Sequence, residues 1–279
     1  MLYLTILIAV GCLIVERLWP ATELPKVRAW WWRVAFVNLI QLGIVVLAGM
    51  TWDRWLQRGS LLHLGASMHP LAGASIAYFA STFIYYWWHR MRHDSRFFWR
   101  LCHQLHHSPR RIEILTSFYK HPVEIAINSV LSSLIVYSLF GLSIPGGALY
   151  VFFTAVAEYF YHWNIRTPEK LGYLFQRPES HRIHHEYHRH TKNFADLPIW
   201  DLLFGTFQNG RSSKLTQFGY DDWREDRFDD MLAFRDVNAK NAASVSPLHL
   251  LPTCIGCKKK WACTESRQRA EAETRSSDE

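Results

Sequence analysis

Cysteine is scarce in this chain, with five in 279 residues. So few and so scattered, they exclude the disulfide framework of a small secreted protein. Cys12 falls in an apolar run and reads as packing, and Cys102 reads as inert. Cys254, Cys257 and Cys263 form a single C-x2-C-x5-C, without the second pair that a zinc ribbon uses. A reduced, unligated tail is expected there. No internal repeat is found. No nucleic-acid-binding motif accompanies the formal charge of +7. Basic residues crowd beside apolar segments instead, which is the pattern of membrane topology.

Apolar and aromatic residues are abundant, with 13 Trp, 12 Tyr and 17 Phe. Five stretches, 1–15, 34–50, 71–88, 123–140 and 144–161, are apolar enough to be predicted as membrane helices. A span needs about 20 residues, so the shorter ones must tilt or draw on flanking aromatics. Residues 1–15 lack the charged start and small-residue ending of a signal peptide and are read as the first span. Lys26, Arg28 and Arg33 follow span one; Arg90, Arg92, Arg96, Arg100, Arg110, Arg111 and Lys120 follow span three. The positive-inside rule then puts both segments in the cytoplasm and the N-terminus outside. The expected fold is an all-α integral membrane protein of about four to five transmembrane helices above a cytoplasmic helical cap. Residues 1–70 would carry the first helices, 71–235 the functional domain with a membrane hairpin at 122–161, and 236–279 a disordered tail.

Histidines carry the chemistry. His89 and His93 are spaced i, i+4; His103, His106 and His107 repeat i, i+3, i+4, and so do His181, His184 and His185. Those offsets place the rings of each cluster on one helical face. His162 stands alone just upstream of the last cluster. The inferred topology brings all three clusters to one side of the membrane. Nine neutral nitrogen donors exceed the need of a structural zinc site and suit two borderline transition-metal ions. A diferrous pair so held would be open to oxygen, and its position would meet lipid tails. Hydroxylation or desaturation of a lipid is the resulting expectation.

The runs YYWWHRMRH, LCHQLHHSPRR, PESHRIHH and WDLLFGTF resemble the fatty acid hydroxylase superfamily, which includes sterol desaturases and alkylglycerol monooxygenase. The resemblance covers roughly residues 75–210. It implies a helical membrane fold, a dimetal centre with iron as the usual metal and zinc a possible one, and O2 as cosubstrate. It also implies ligation by His89, His93, His103, His106, His107, His181, His184 and His185, with His162 matching an additional family histidine. The chain departs from the family at RPESH before the third box, and at Asn193-Phe194-Ala195 where NYG is common. No cytochrome b5 haem, flavin or nicotinamide motif is present, so a separate reductase, ferredoxin or cytochrome-type donor is expected. A bacterial inner membrane, or the endoplasmic reticulum of a eukaryote, would suit such a protein.

Other residues carry paired readings. Glu158, one turn before His162, either hydrogen-bonds a ligand imidazole or snorkels to the interface. Asp201 either orients a histidine or caps a helix. His121 reads equally as a structural helix-start residue or a family position. His188 and His190 read first as surface residues, with a ligand or ligand-supporting role the lesser alternative, and His63, His69 and His249 have no assigned role. Trp200 and Phe204 read as packing, and Arg110 and Arg111 as topological charges or contacts to lipid head groups or an anionic donor. Competing functions are a metal transporter or storage protein, and a dizinc lipid hydrolase on the same scaffold. A transporter would place its ligands in mid-span, whereas these clusters lie at or beyond the span ends.

Overall fold

A computed structural model describes residues 1–187, 190–210 and 218–238. His188, His249 and the Cys254, Cys257, Cys263 motif lie outside the described residues. Among these residues the protein is helical, and its only extended pairing is the isolated bridge Glu186–Phe218. All five apolar stretches form helices: α1 (Leu2–Leu18), α2 (Trp30–Met50), α3 (Pro70–Asp94), α4 (Pro122–Ser133) and α5 (Ile144–His162). A π-helical segment, Leu134–Leu139, prolongs α4. Two stretches, Trp30–Leu56 and Pro122–Leu139, are long and apolar enough to cross a membrane.

Local sequence explains where three of these helices begin. Pro70, Pro122 and Pro145 occupy first-turn positions, where proline's missing N–H forfeits nothing. His69, His121 and Ser143 cap the same three helices by accepting from Leu71, Val123 and Gly146 N–H groups. His121 is therefore a structural residue, and its Nε2 also reaches the Leu232 carbonyl at 3.2 Å. At the far end the 61–65 segment pairs its backbone with the α4–α5 turn, for example Gly65 N–H to the Gly141 carbonyl at 2.9 Å. Gly141 adopts φ 59°, a left-handed conformation that glycine takes without strain.

Helix α5 packs most extensively against α3, α2 against α4, and α1 against α5. The C-terminal ends of α1, α3 and α5 and the N-terminal ends of α2 and α4 all meet one polar layer. That layer includes the short helices α6 (Pro178–His184) and α7 (Pro198–Leu203), followed by Asp222–Glu225 and Phe228–Leu232. Tertiary contacts bear this out: Glu16 accepts from Ile114 and Asn164 N–H groups, and Arg33 donates to the Glu225 carbonyl. The ordered layer runs further than the sequence suggests. Val237 is fully buried and Arg96 pairs with Asp236 at 3.8 Å, so residues 236–238 belong to the packed domain and not to a tail.

Basic residues read as topological charges are tied down inside the protein. Arg110 pairs with Glu225 at 2.8 Å and with Asp222, and Arg111 pairs with Glu113 at 2.6 Å. Arg100 donates to the Phe234 carbonyl, and Lys120 pairs with Glu158. They fasten the polar layer to the helix ends. Arg111 also lies over the Trp30 ring, 5.4 Å from its centroid.

Candidate metal centre

The nine sequence-predicted histidines gather into two groups. His89, His93, His103, His107 and His184 form one; His106, His162, His181 and His185 form the other. Within each group the nitrogens available as ligands all lie within 4.8 Å of one another. The division cuts across the sequence clusters. His106 and His107 are chain neighbours in the turn that follows Trp99–His103, yet their side chains point apart and reach different groups. His184 and His185 separate in the same way. His103 closes a π-helical turn, Trp99–His103, of the kind that recurs at functional sites.

Fixed acceptors orient five of the rings. Nδ1 of His89 donates to the Phe194 carbonyl at 2.7 Å, that of His184 to Lys192 at 2.8 Å and that of His162 to Glu158 at 2.9 Å. His106 donates likewise to Tyr119 at 3.2 Å. A carbonyl only accepts, so the proton sits on Nδ1 and Nε2 carries the lone pair. Nδ1 of His103 faces the Glu124 carboxylate at 3.2 Å.

These lone pairs converge. His93 and His103 bring their Nε2 atoms to 3.0 Å, His162 and His181 to 3.0 Å, and His181 and His185 to 3.1 Å. Buried ring nitrogens without a hydrogen-bond partner include Nε2 of His89 and His184 and both nitrogens of His107. Unsatisfied buried polar atoms on this scale require an explanation, and a bound cation supplies one. Two nitrogens about 3.0 Å apart suit one ion bonded to each at roughly 2.1 Å near a right angle. The donor set therefore fits two metal ions.

Burial is the first cause that lowers the pKa of His103, His106, His107, His181 and His185 well below the ordinary imidazole value. It brings His184 down to about 3. Neutral imidazole, the form that ligates metal, is thus the resting state at physiological pH.

Second-layer residues differ from the sequence reading. Glu158 does not hydrogen-bond an imidazole: its carboxylate pairs with Lys120 and stays 3.6 Å from Nδ1 of His162, while its backbone carbonyl takes that proton. The free carboxylate is drawn to the nearest ammonium, and a helical carbonyl four residues back is already in place. Asp201 acts one step removed, accepting from Phe194 and Ala195 N–H groups and from the Thr206 hydroxyl. It fixes the peptide whose carbonyl holds His89. Trp200 packs as expected and donates to Thr82 at 2.8 Å.

Sequence reasoning missed two residues here. Glu124 is fully buried beside His103, and the rule that singled out Glu158, a carboxylate in an apolar stretch, applies equally to it. His190 is buried rather than on the surface. Its ring lies 4.6 Å from that of His107, and its Nδ1 donates to the His184 carbonyl at 3.1 Å. The chain turns back after α6, which spacing from the third cluster does not reveal.

A family model described as fatty acid hydroxylase matches residues 74–206. Human alkylglycerol monooxygenase is 33% identical over 138 residues, 47% of this chain and 30% of that protein. The ornithine lipid hydroxylase of Rhizobium tropici is 31% identical over 136 residues, 47% of this chain and 40% of that protein. Sphinganine C4-monooxygenase 1 of Arabidopsis thaliana is 23% identical over 140 residues, 49% of this chain and 54% of that protein. The matched segment thus spans less than half the length of the alkylglycerol and ornithine lipid enzymes. No solved structure matches the chain. The matched residues include all nine grouped histidines and end in the WDLLFGTF run, so that residues 74–206 of this chain are a fatty acid hydroxylase domain.

Proposed function

We propose that this protein is a membrane-bound dinuclear metal oxygenase that hydroxylates a lipid, with two irons held by His89, His93, His103, His107 and His184 on one side and His106, His162, His181 and His185 on the other. The observation that carries this reading is the convergence of nine neutral imidazoles, eight of them buried and His89 partly so, into two adjoining groups at the ends of apolar helices. The lipid-hydroxylating names of the relatives support the substrate class. When bound, the irons supply oxygen activation: O2, two electrons and two protons turn a C–H bond into C–OH and yield water. The chain's own residues keep the ligands neutral, fix their tautomers and exclude bulk water. Desaturation begins with the same hydrogen abstraction, and substrate placement selects between the two outcomes.

Position favours a lipid over a soluble substrate. From Pro70 to His89 helix α3 rises about 29 Å at 1.5 Å per residue, close to the roughly 30 Å of a bilayer's hydrocarbon core. Outward faces of α1 and α2 are apolar, with Leu7 at 68% and Leu39 at 70% exposure, an arrangement suited to lipid contact. The centre then sits at the head-group boundary on the cytoplasmic side, where a separate donor protein delivers electrons. Ligands at this boundary, rather than along a mid-span path, argue against a transporter.

The test is lipid extraction from cells with and without the protein, grown under 18O2. A lipid gaining one labelled oxygen only when the protein is present supports the reading, and His107→Ala should abolish the gain. Protein carrying two irons that changes no lipid would refute it.

A further inference from the structure

We propose that the two metal positions are inequivalent: the five-histidine position loads first and releases its ion last, because Glu124 backs one of its ligands. This rests on the metal-centre reading above. Donor number is the first difference, five nitrogens against four.

The chemistry behind the donors is the second. Glu124 sits in the first turn of α4, where the helix dipole favours a carboxylate, and it is fully buried. Buried Arg92 pairs with it and Nδ1 of His103 meets it at 3.2 Å. Arg92 Nη1 also lies 3.1 Å from that ring nitrogen and donates one of its two N–H groups to Glu124. A neutral ring whose Nε2 lone pair is given to a metal keeps its proton on Nδ1, where the carboxylate is the group that can accept it. An acceptor-only carboxylate draws the Nδ1 proton, fixes the tautomer and raises the basicity of Nε2 toward the metal.

No such group serves the four-histidine position. Neutral carbonyls of Tyr119 and Glu158 back His106 and His162. Nδ1 of His181 and of His185 is buried without a hydrogen-bond partner. The Glu158 carboxylate turns one oxygen to Lys120 and leaves the other 3.6 Å from Nδ1 of His162, beyond hydrogen-bond reach. Loss of a partner behind a ligand commonly lowers metal affinity 10- to 100-fold, so Glu124 is a positioning residue for one ion and not for the other.

The test uses the full chain in detergent, stripped of metal and reloaded with Zn2+, with release followed after adding a chromophoric chelator. Two phases of equal amplitude are expected. His106→Ala should remove the fast phase and His93→Ala the slow one. Glu124→Gln should accelerate the slow phase about 10- to 100-fold and leave the fast phase unchanged. That unchanged phase is the control for folding, since a collapsed protein would lose both. If Glu124→Gln does not fold, the two histidine variants still assign the phases. A single phase from two bound ions, a slow phase that disappears in His106→Ala, or a slow phase indifferent to Glu124→Gln overturns the inequivalence alone. Failure to bind two Zn2+ at all would overturn the metal-centre reading instead.

Discussion

His107 and His185 lie ring over ring, 4.3 Å between centroids and 19° between planes, although they belong to different histidine groups. The two groups therefore share a wall. His107 also has both ring nitrogens buried without a hydrogen-bond partner, which leaves its lone pair free for a cation. Such a contact is what the proposed dinuclear centre would use to hold its two ions side by side.

Replacing that shared ring is the sharpest test of ligation. His107→Ala should lower the metal-to-protein ratio by at least one ion and eliminate product. Elemental analysis of protein purified without chelators checks the first, and an unaltered ratio would remove His107 from the ligand set.

Acid should destabilise the metal-free protein. Burial holds the pKa of His184 at about 3, below the roughly 6.5 of an unfolded histidine. Between those values the unfolded chain binds a proton that the folded chain refuses, so stability rises with pH across the window and levels off above about 6.5. Each such histidine contributes about 1.4 kcal/mol per pH unit there. Thermal melts of stripped protein at pH 7.5 and pH 5.5 should show a marked fall, and equal melting temperatures would contradict the buried, neutral assignment.

Asp201 ties three donors of the Phe194–Thr206 segment, including the peptide next to the carbonyl that orients His89. Asp201→Ala leaves those donors unsatisfied, at about 1–3 kcal/mol for each one that water cannot reach. A lower melting temperature and weaker metal retention are expected, with Asp201→Asn milder because its amide oxygen still accepts. Indifference of both properties to Asp201→Ala would show that the segment holds itself in place.

For Glu158 the expectation runs the other way. The imidazole of His162 is held by the Glu158 backbone carbonyl, which a glutamine retains. Glu158→Gln should leave two ions bound, and a lost ion would mean the carboxylate acts on the metal after all.

Far from the centre, Gly65 tests the helix-hairpin junction. A Cβ there would fall 2.5 Å from the Gly141 carbonyl oxygen and 2.6 Å from the Ser143 nitrogen, both backbone. Gly65→Ala should cost about 1–3 kcal/mol of stability, as overpacking generally does, while metal content stays the same. A melting temperature matching the parent's would show that the turn yields freely.

Much of this was readable from residue order. The five apolar runs became helices, and the i, i+4 spacing of His89 and His93 put both rings in the same group, because helix geometry is a local property. Proline and cap residues marked where α3, α4 and α5 begin for the same reason. Glu124, His190 and the true partner of Glu158 were not readable, since each depends on what lies across a helix interface. Arg110 and Arg111 illustrate the point: their charge was evident, but that Glu225 and Glu113 neutralise it follows only from packing.

Residue order by itself determined the number of imidazoles, their spacing along the chain and the apolar stretches that flank them. Only the tertiary structure decided which rings side together, splitting His106 from His107 and His184 from His185, and which carboxylate stands behind them. Spacing fixes direction within a turn or two. The pairing of turns that are distant in the chain is set by how α3, α5 and α6 pack, a long-range outcome that no local pattern encodes.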